Sequence, residues 1–469
     1  MKNAFNGNGL RREIGLFSAT VLVIANMMGT GIFTTSGFIL AEVQDPRVLL
    51  FCWICGGLFA LCGALCYGEL GARFPKAGGE YVFLKESFGK PVGFLSGWIS
   101  LIVGFSAPIA AASIAFATYA FKALQIPTGD AMALNLMGIP VVTLSPLNLA
   151  AIGAIGIFTA IHYHSLRMGS RVQNLLTLFK VALVVGFIFA GLYFGHGSFH
   201  HLQTSPLPLS SIGAEKIAVS LIFVSFAYSG WNAAAYLGSE ITDPRRNIPC
   251  ALFIGTALVA LLYLLLNLVY LYALAPRQMF GVLEVGAKAA ASLFGEHFSR
   301  FFSGAVALGI LSVLSAMIMT GPRIYYAMSK DGIFFPIFGN LNPDRKTPAS
   351  SIFLQAFIAA AMVLSASFDA LLIYIGFTLS FFSLLTVIGL IRIRMAARDI
   401  QDGYATWGYP VTPLLYILGN LWIIIYSIKS RPATALIGLG TIGLGIAAYL
   451  FFERRCHPKH QSGMAEDLT

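Results

Sequence analysis

The sequence predicts an all-α membrane protein of twelve transmembrane helices: two five-helix halves of opposite orientation, followed by two further helices. Three observations carry that expectation. Apolar runs of about 20 residues, the length that crosses a bilayer, recur from end to end. Lysine and arginine divide unevenly between alternate connections. Two apolar stretches, residues 24–33 and 226–232, are interrupted at mid-depth by small, hydroxyl and amide residues.

The composition excludes a soluble multidomain chain. Hydrophobic residues make up 57% of the 469 and charged residues 11%, with a mean hydropathy of +0.78. Helices are expected at 14–41, 47–71, 91–122, 146–163, 171–195, 214–240, 248–274, 300–328, 349–367, 369–394, 411–428 and 433–452. Arg11, Arg12 and Glu13 lack the short apolar run and cleavage site of a signal peptide, so the first helix should be retained. With the N-terminus inside, about 21 Lys and Arg fall in cytoplasmic segments and about 8 in external ones, and Lys180 stays in the membrane. Both termini are therefore expected in the cytoplasm. The net charge of +10 reads as a topology signal: the partner it implies is a lipid bilayer, and no nucleic acid is expected.

The domain organisation follows. Residues 1–13 form a cytoplasmic N-terminus, 14–195 a first repeat, 214–394 a second, 411–452 two peripheral helices, and 453–469 a polar, unstructured cytoplasmic tail. Each half opens with its interrupted helix. An odd number of helices per half sets the halves in opposite orientation, the inverted-repeat condition of many secondary transporters.

The connections add less. Residues 72–90 read as a cytoplasmic loop with a short amphipathic stretch, and 275–299 as an external segment containing a helix. His196, His200 and His201 lie among Ser, Pro and Gly with no carboxylate or Cys beside them, and read as a solvated loop. Cys52, Cys55, Cys62 and Cys66 share one helical face. A packing stripe is favoured there over a metal or redox pair. No metal and no cofactor is expected.

The breaks carry the chemistry. Unwinding at Gly29-Thr30-Gly31, about halfway across a 30 Å core, would leave the N–H groups of the following half-helix free. That end suits a carboxylate. Carbonyls near Met27 would suit an ammonium group, so one break offers partners for a zwitterion. Close helix packing is the alternative reading of Gly-x-Gly. The second break, Phe226-Ala227-Tyr228-Ser229-Gly230-Trp231-Asn232, repeats the combination and argues for a site, with carbonyls near Phe226 and Ser229 completing the ammonium partner. Lys180 lies ~13 Å into its helix from Arg171. A central lysine is costly, which favours a gating or proton-linked role facing the bundle over snorkelling to an end. The third and tenth helices carry no interior acid, which favours a neutral substrate side chain.

These residues resemble a known family. Gly29-Thr30-Gly31-Ile32-Phe33 and the run from Tyr67 through Pro75-Lys76-Ala77-Gly78-Gly79-Glu80-Tyr81 are similar to motifs of the amino acid–polyamine–organocation superfamily. So is Arg323-Ile324-Tyr325-Tyr326. The second break with Asp243-Pro244-Arg245-Arg246-Asn247 looks most like its L-type amino acid transporter branch. The resemblance implies a leucine-transporter-type fold working by alternating access. It implies that Gly29, Thr30 and Gly31 meet the substrate carboxylate, and that Met27, Phe226 and Ser229 meet the amino group. It further implies an external lid at Phe226, a brace for the sixth-helix bend at Asn232 and a substrate contact at Asn26. Lys180 would fill the place of a sodium ion. The animal branch joins a glycoprotein through a Cys between the third and fourth helices, and Ala123–Ser145 has none, so no disulfide-linked subunit is expected.

The reading is a sodium-independent carrier of neutral L-amino acids in the inner membrane, an exchanger or a proton-linked symporter. Its substrate residues would be Asn26, Met27, Gly29, Thr30, Gly31, Phe226, Ala227, Ser229, Gly230 and Asn232. Gating and coupling would involve Lys180, Phe226, Tyr228, Glu240, Arg245 and Arg246. A cationic amino acid or polyamine antiporter is the alternative. An enzyme would need a polar constellation, and His162 with His164 lacks partners. A channel would need a polar stripe.

Overall fold

Helical structure falls on each of the twelve expected segments, and two of them are broken where their hydrophobic pattern fails. The computed structural model describes residues 10–127, 132–136, 139–203, 213–282, 284–365, 368–396, 403–430 and 432–456. The first segment divides into α1 (Leu16–Met27) and α2 (Gly31–Val43), bent by 41° at the break. Helix α3 (Pro46–Arg73) follows at once, capped by the Asp45 carboxylate, which accepts from the N–H groups of Arg47 and Val48. Next come α4 (Glu80–Phe88), α5 (Lys90–Ile99), a π turn over Ser100–Ser106, and α6 (Ala107–Leu124). Helices α7 (Pro146–His164) and α8 (Leu166–Phe194) complete the first half of the chain.

The second break separates α9 (Ala214–Tyr228) from α10 (Ala233–Tyr236). Beyond it lie α11 (Pro244–Ala273), the single turn α12 (Pro276–Met279), α13 (Val285–Phe294), α14 (Glu296–Thr320) and α15 (Pro322–Lys330). The chain continues as α16 (Ala349–Ser365), α17 (Phe368–Ala396), α18 (Val411–Ser430) and α19 (Pro432–Cys456). Among the described residues, seven helical runs are long and apolar enough to cross a membrane, and the bent pair α1–α2 makes an eighth; the remaining apolar helices are shorter. The chain is a multi-pass membrane protein, and its polarity is arranged accordingly. Helix α8 exposes Leu175, Leu178 and Phe189 while burying Gln173, Thr177 and Lys180. Water would oppose so large an apolar exterior, whereas lipid tails accept it.

Residues 72–90 lie on the surface only in part: Lys76, Glu86 and Lys90 are exposed, but the stretch 77–84 turns inward, with Tyr81, Val82, Phe83 and Leu84 of α4 all buried. The cause is a pair of glycines with positive φ, Gly78 at 114° and Gly79 at 50°, which fold the chain back against the bundle. Residues 275–299 contain the expected helix, α13. The segment 123–145 carries an unforeseen hairpin, β1 (Met132–Leu136) paired antiparallel with β2 (Ile139–Leu144). Of the histidine-rich segment, a 3-10 turn at Phe199–Leu202 brings the His201 ring to 3.2 Å from the Leu271 carbonyl; residues 204–212, like the tail beyond Cys456, lie outside the described residues. Cys52, Cys62 and Cys66 are buried as free thiols.

Candidate functional site

A helix that stops inside a membrane frees its last four carbonyls and the first four N–H groups of the helix after it. At the first break the carbonyls are taken up by side chains from other helices. The Lys180 Nζ donates to the Ala25 carbonyl at 3.1 Å and to the Met28 carbonyl at 2.5 Å. The lysine is buried and its stem lies against Gly309 of α14, so it does not snorkel. The Tyr263 hydroxyl of α11 donates to the Met27 carbonyl at 2.7 Å, which also accepts from the Gly29 N–H. The donors are treated differently. Among the described residues no backbone carbonyl accepts from the N–H groups of Thr30, Gly31 or Ile32. The start of α2 therefore keeps its donors and its positive dipole end.

At the second break, Gly230 sits at φ 94°, where a side chain would be strained. A Cβ there would also lie 2.6 Å from Asn26 Nδ2, the group that donates to the Gly230 carbonyl at 3.3 Å. The breaks touch directly, because a Cβ on Gly31 would fall 2.7 Å from Ala227 Cα. Gly29 has room by comparison: its nearest neighbours are the Val313 methyls at 3.8 Å. The glycine that close approach demands is Gly31. The Tyr263 hydroxyl also lies 3.2 Å from the Ala227 carbonyl, so one phenol is shared between the breaks. The Tyr228 hydroxyl donates to the Trp53 carbonyl at 3.1 Å, anchoring the end of α9 to α3. Asn232 Nδ2 donates to the Tyr236 hydroxyl at 3.2 Å across the single turn of α10.

Two adjoining hollows result. The smaller, about 40 Å³, is lined by Asn26, Met27, Gly29, Thr30, Gly31, Phe226, Ala227 and Ser229, and is closed by apolar residues including Ala111, Val313 and Ile375. The larger, about 100 Å³, is lined by Tyr228, Gly230 and Asn232 and also by Asn26, Phe226 and Ser229. The ten residues expected to meet substrate thus all line one hollow or the other, with Asn26 and Phe226 on the wall between. Asn26 Oδ1 is buried there without a hydrogen-bond partner. Among the described residues the Ser229 carbonyl has no backbone donor either. Lys180 lines neither hollow. The π turn widens its helix locally and sets Ser100, Gly104 and Phe105 on the larger wall.

On the side of the N-terminus the second break is latched. The N–H groups of Glu13 and Ile14 both donate to the Glu240 carbonyl at 3.0 Å, and the Thr242 N–H donates back to Ile14 at 2.9 Å. The Arg12 guanidinium reaches the Ile241 carbonyl at 3.1 Å. The Glu240 carboxylate pairs with Arg323 of α15 through two hydrogen bonds of 2.8 Å, both side chains at least 98% buried. This corrects the expected gate. Asp243, at φ 43°, and Pro244 start α11 so that Arg245 and Arg246 face outward, and neither makes an ion pair among the described residues. The paired histidines also part: His162 is buried with Nε2 2.8 Å from Ser315 Oγ, while His164 is exposed.

Three residues at the site or its latch were not among the expected site residues. Arg323 offered a signal, a charge inside the expected helix 300–328. Tyr263 offered none, being one aromatic in an apolar run. Glu80 follows the two glycines, and α4 carries it into the wall of the larger hollow. Its carboxylate accepts from Tyr67 at 2.5 Å, Thr386 at 3.3 Å and Tyr236 at 3.4 Å. Burial pushes the carboxyl up to about 7, against the pull of those hydroxyls. The expected lack of an acid near the site therefore holds for the third and tenth helices alone, because this one arrives from the connection between helices.

Comparison with known proteins bears on this arrangement. A sequence model of the amino acid permease family matches residues 14–441, which takes in both breaks, both hollows and all of the latch except Arg12 and Glu13. The chain is 29% identical over 432 residues to the b(0,+)-type amino acid transporter 1 of Mus musculus, covering 90% of this chain and 84% of that protein. It is 29% identical over 471 residues to the large neutral amino acids transporter small subunit 2 of Rattus norvegicus, covering 99% and 85%. It is also 29% identical over 461 residues to the serine/threonine exchanger SteT of Bacillus subtilis (strain 168), covering 96% and 98%. The rat protein is by name the small subunit of an assembly, so these relatives lend no support to the expected absence of a partner subunit. The missing Cys in Ala123–Ser145 bears only on a disulfide at that place.

Proposed function

Since the chain belongs to the amino acid permease family, in the L-type branch of the amino acid–polyamine–organocation superfamily, we propose that it carries neutral L-amino acids across the inner membrane by alternating access, without sodium. The observation that carries the proposal is the set of free N–H groups at Thr30, Gly31 and Ile32, of which Thr30 and Gly31 line the smaller hollow beside the unpartnered Asn26 Oδ1. A helix start with unused donors binds a carboxylate. The Ser229 carbonyl and Asn26 Oδ1 supply acceptors for the ammonium group. The apolar closing wall of Ala111, Val313 and Ile375 takes a neutral side chain.

On this reading the twelve helices form two inverted five-helix repeats, 14–195 and 214–394, with 411–452 peripheral and both termini cytoplasmic. The latch around Glu240 and Arg323 is then the closed cytoplasmic gate, and Phe226, between the hollows, is the lid. Sodium independence follows from Lys180. The Lys180 Nζ already fills the place between the Ala25 and Met28 carbonyls, so a sodium ion would find its ligands taken. Exchange and proton-linked symport both fit this frame. The chain is a carrier, and no reaction chemistry is assigned to it. A cationic substrate is the second reading, favoured by Glu80 in the adjoining hollow.

Reconstitution tests the proposal. Uptake of radiolabelled L-leucine, L-serine or L-threonine into proteoliposomes should saturate and persist when choline replaces sodium. L-arginine and putrescine should compete weakly. A strict sodium requirement, or stronger competition by the cationic compounds, would overturn the assignment.

A further inference from the structure

The larger hollow contains an acid that the carrier reading leaves unused. We propose that Glu80 is the proton-carrying group of the transport cycle, so that the chain is a proton symporter rather than a pure exchanger. The inference rests on the carrier reading above and assigns its coupling ion.

The contrast with the other acids carries it. Glu69 pairs with Arg73 and Arg394, Glu240 with Arg323, Asp331 with Lys85, and Asp45 with Arg47. Glu80 is buried like Glu69, Glu240 and Asp45, and more deeply than Asp331, yet it has no cationic partner among the described residues. An ionised carboxylate buried without a counter-charge is costly, and a bound proton removes that cost. Its surroundings suit both states. The titratable groups that face it are Tyr67 of α3, Tyr236 of α10 and Tyr416 of α18, with Thr386 of α17 beside them and Tyr325 of α15 behind Tyr236. A hydroxyl can donate to the carboxylate or accept from the carboxylic acid. On its own helix, Tyr81 and Lys85 are turned to Asp331, and Glu86 pairs with Lys76.

The acid is also wired to the moving part. Asn232 at the second break donates to Tyr236 Oη, which donates to Glu80. The Tyr236 ring lies so close to Gly79 that a Cβ there would meet it at 2.6 Å. Movement of α10 as the latch opens must therefore disturb the shell around Glu80. A hydronium ion entering the hollow from outside breaks one of its O–H bonds and is left as water, and its proton forms an O–H bond on the Glu80 carboxylate. When the latch opens, water reaches the hollow, that bond breaks, and the proton leaves to the cytoplasm. One positive charge crosses with each zwitterion. Lys180 is a poorer carrier, because its hydrogens are committed to two carbonyls outside both hollows.

The test uses the full chain in proteoliposomes with radiolabelled L-leucine and L-serine at zero membrane potential. With one proton per substrate, an inward gradient of one pH unit should raise accumulation by wild type about tenfold. Glu80→Gln, which imitates the protonated acid, should abolish that accumulation while exchange against internal substrate continues. Tyr67→Phe removes a donor that favours the carboxylate, and should move the midpoint of pH-dependent uptake upward by about half a unit to one unit. If Glu80→Gln fails to assemble, the Tyr67→Phe shift decides alone. Wild-type exchange with no response to the gradient overturns the proposal, as does an unmoved midpoint in Tyr67→Phe. Unchanged gradient-driven uptake in Glu80→Gln with loss of L-lysine competition would make Glu80 a substrate subsite and overturn it too. Absence of any wild-type exchange would instead strike the carrier reading.

Discussion

The two helix breaks solve one problem in opposite ways. The first keeps a long second half, the thirteen residues of α2, and has its orphaned carbonyls filled from outside by Lys180 and Tyr263. The second gives up most of its second half, retaining four residues of helix, and is held by its own left-handed glycine and by a latch to the N-terminal segment. A break that must present free donors needs a rigid helix behind it, because the dipole and the aligned N–H groups come from that helix. A break that must move needs fasteners that can be undone. The first is built as a binding element and the second as a gate.

The sharpest way to break this distinction is to attack the fasteners. Removing one partner of a buried ion pair strands the other, at roughly 3–5 kcal/mol. Arg323→Ala should therefore lower the detergent melting temperature strongly and make the buried Ile14 position accessible to a thiol label after Cys substitution. Unchanged labelling would mean that the latch does not hold the second break.

Lys180→Ala attacks the first break instead. It leaves two buried carbonyls without donors, at roughly 1–3 kcal/mol each, partly offset by relief of the lysine's own desolvation. Substrate binding measured by scintillation proximity should weaken at least tenfold while the latch labels as in wild type. If latch and binding fail together in both variants, the two breaks are one element and the division is wrong.

The glycines give smaller effects that refine it. Gly230→Ala forces a side chain into positive φ and into Asn26, for about 1–3 kcal/mol. Gly29→Ala meets nothing closer than the Val313 methyls at 3.8 Å, and its stability should change by under about 0.5 kcal/mol. A large loss of stability at Gly29 would place the critical close approach there after all.

Much of this was legible in the letters. Both breaks could be read because small and amide residues interrupt runs that bilayer physics requires to be apolar, and Lys180 stood out because a charge at that depth demands a partner. What could not be read was partnership. Nothing local to Tyr263 says that its hydroxyl will meet two carbonyls from distant breaks. Arg245 and Arg246 lie next to the gate in sequence, yet the turn at Asp243 sends them outward, and the partner of Glu240 comes from α15. Glu80 was hidden for another reason. Its segment has the polarity of a surface loop, and only the backbone freedom of Gly78 and Gly79 lets it fold inward. The smaller hollow is backbone-made and followed from local sequence. The larger one is made by side chains from α3, α4, α10, α17 and α18, and needed the fold.

The most direct measurement is an experimental structure of the chain with a neutral amino acid bound. The account predicts the substrate carboxylate within about 3 Å of the Thr30, Gly31 and Ile32 nitrogens, with its ammonium toward Ser229 and Asn26. An amino acid seated with its carboxylate elsewhere, or those three N–H groups turned away from it, would contradict the account.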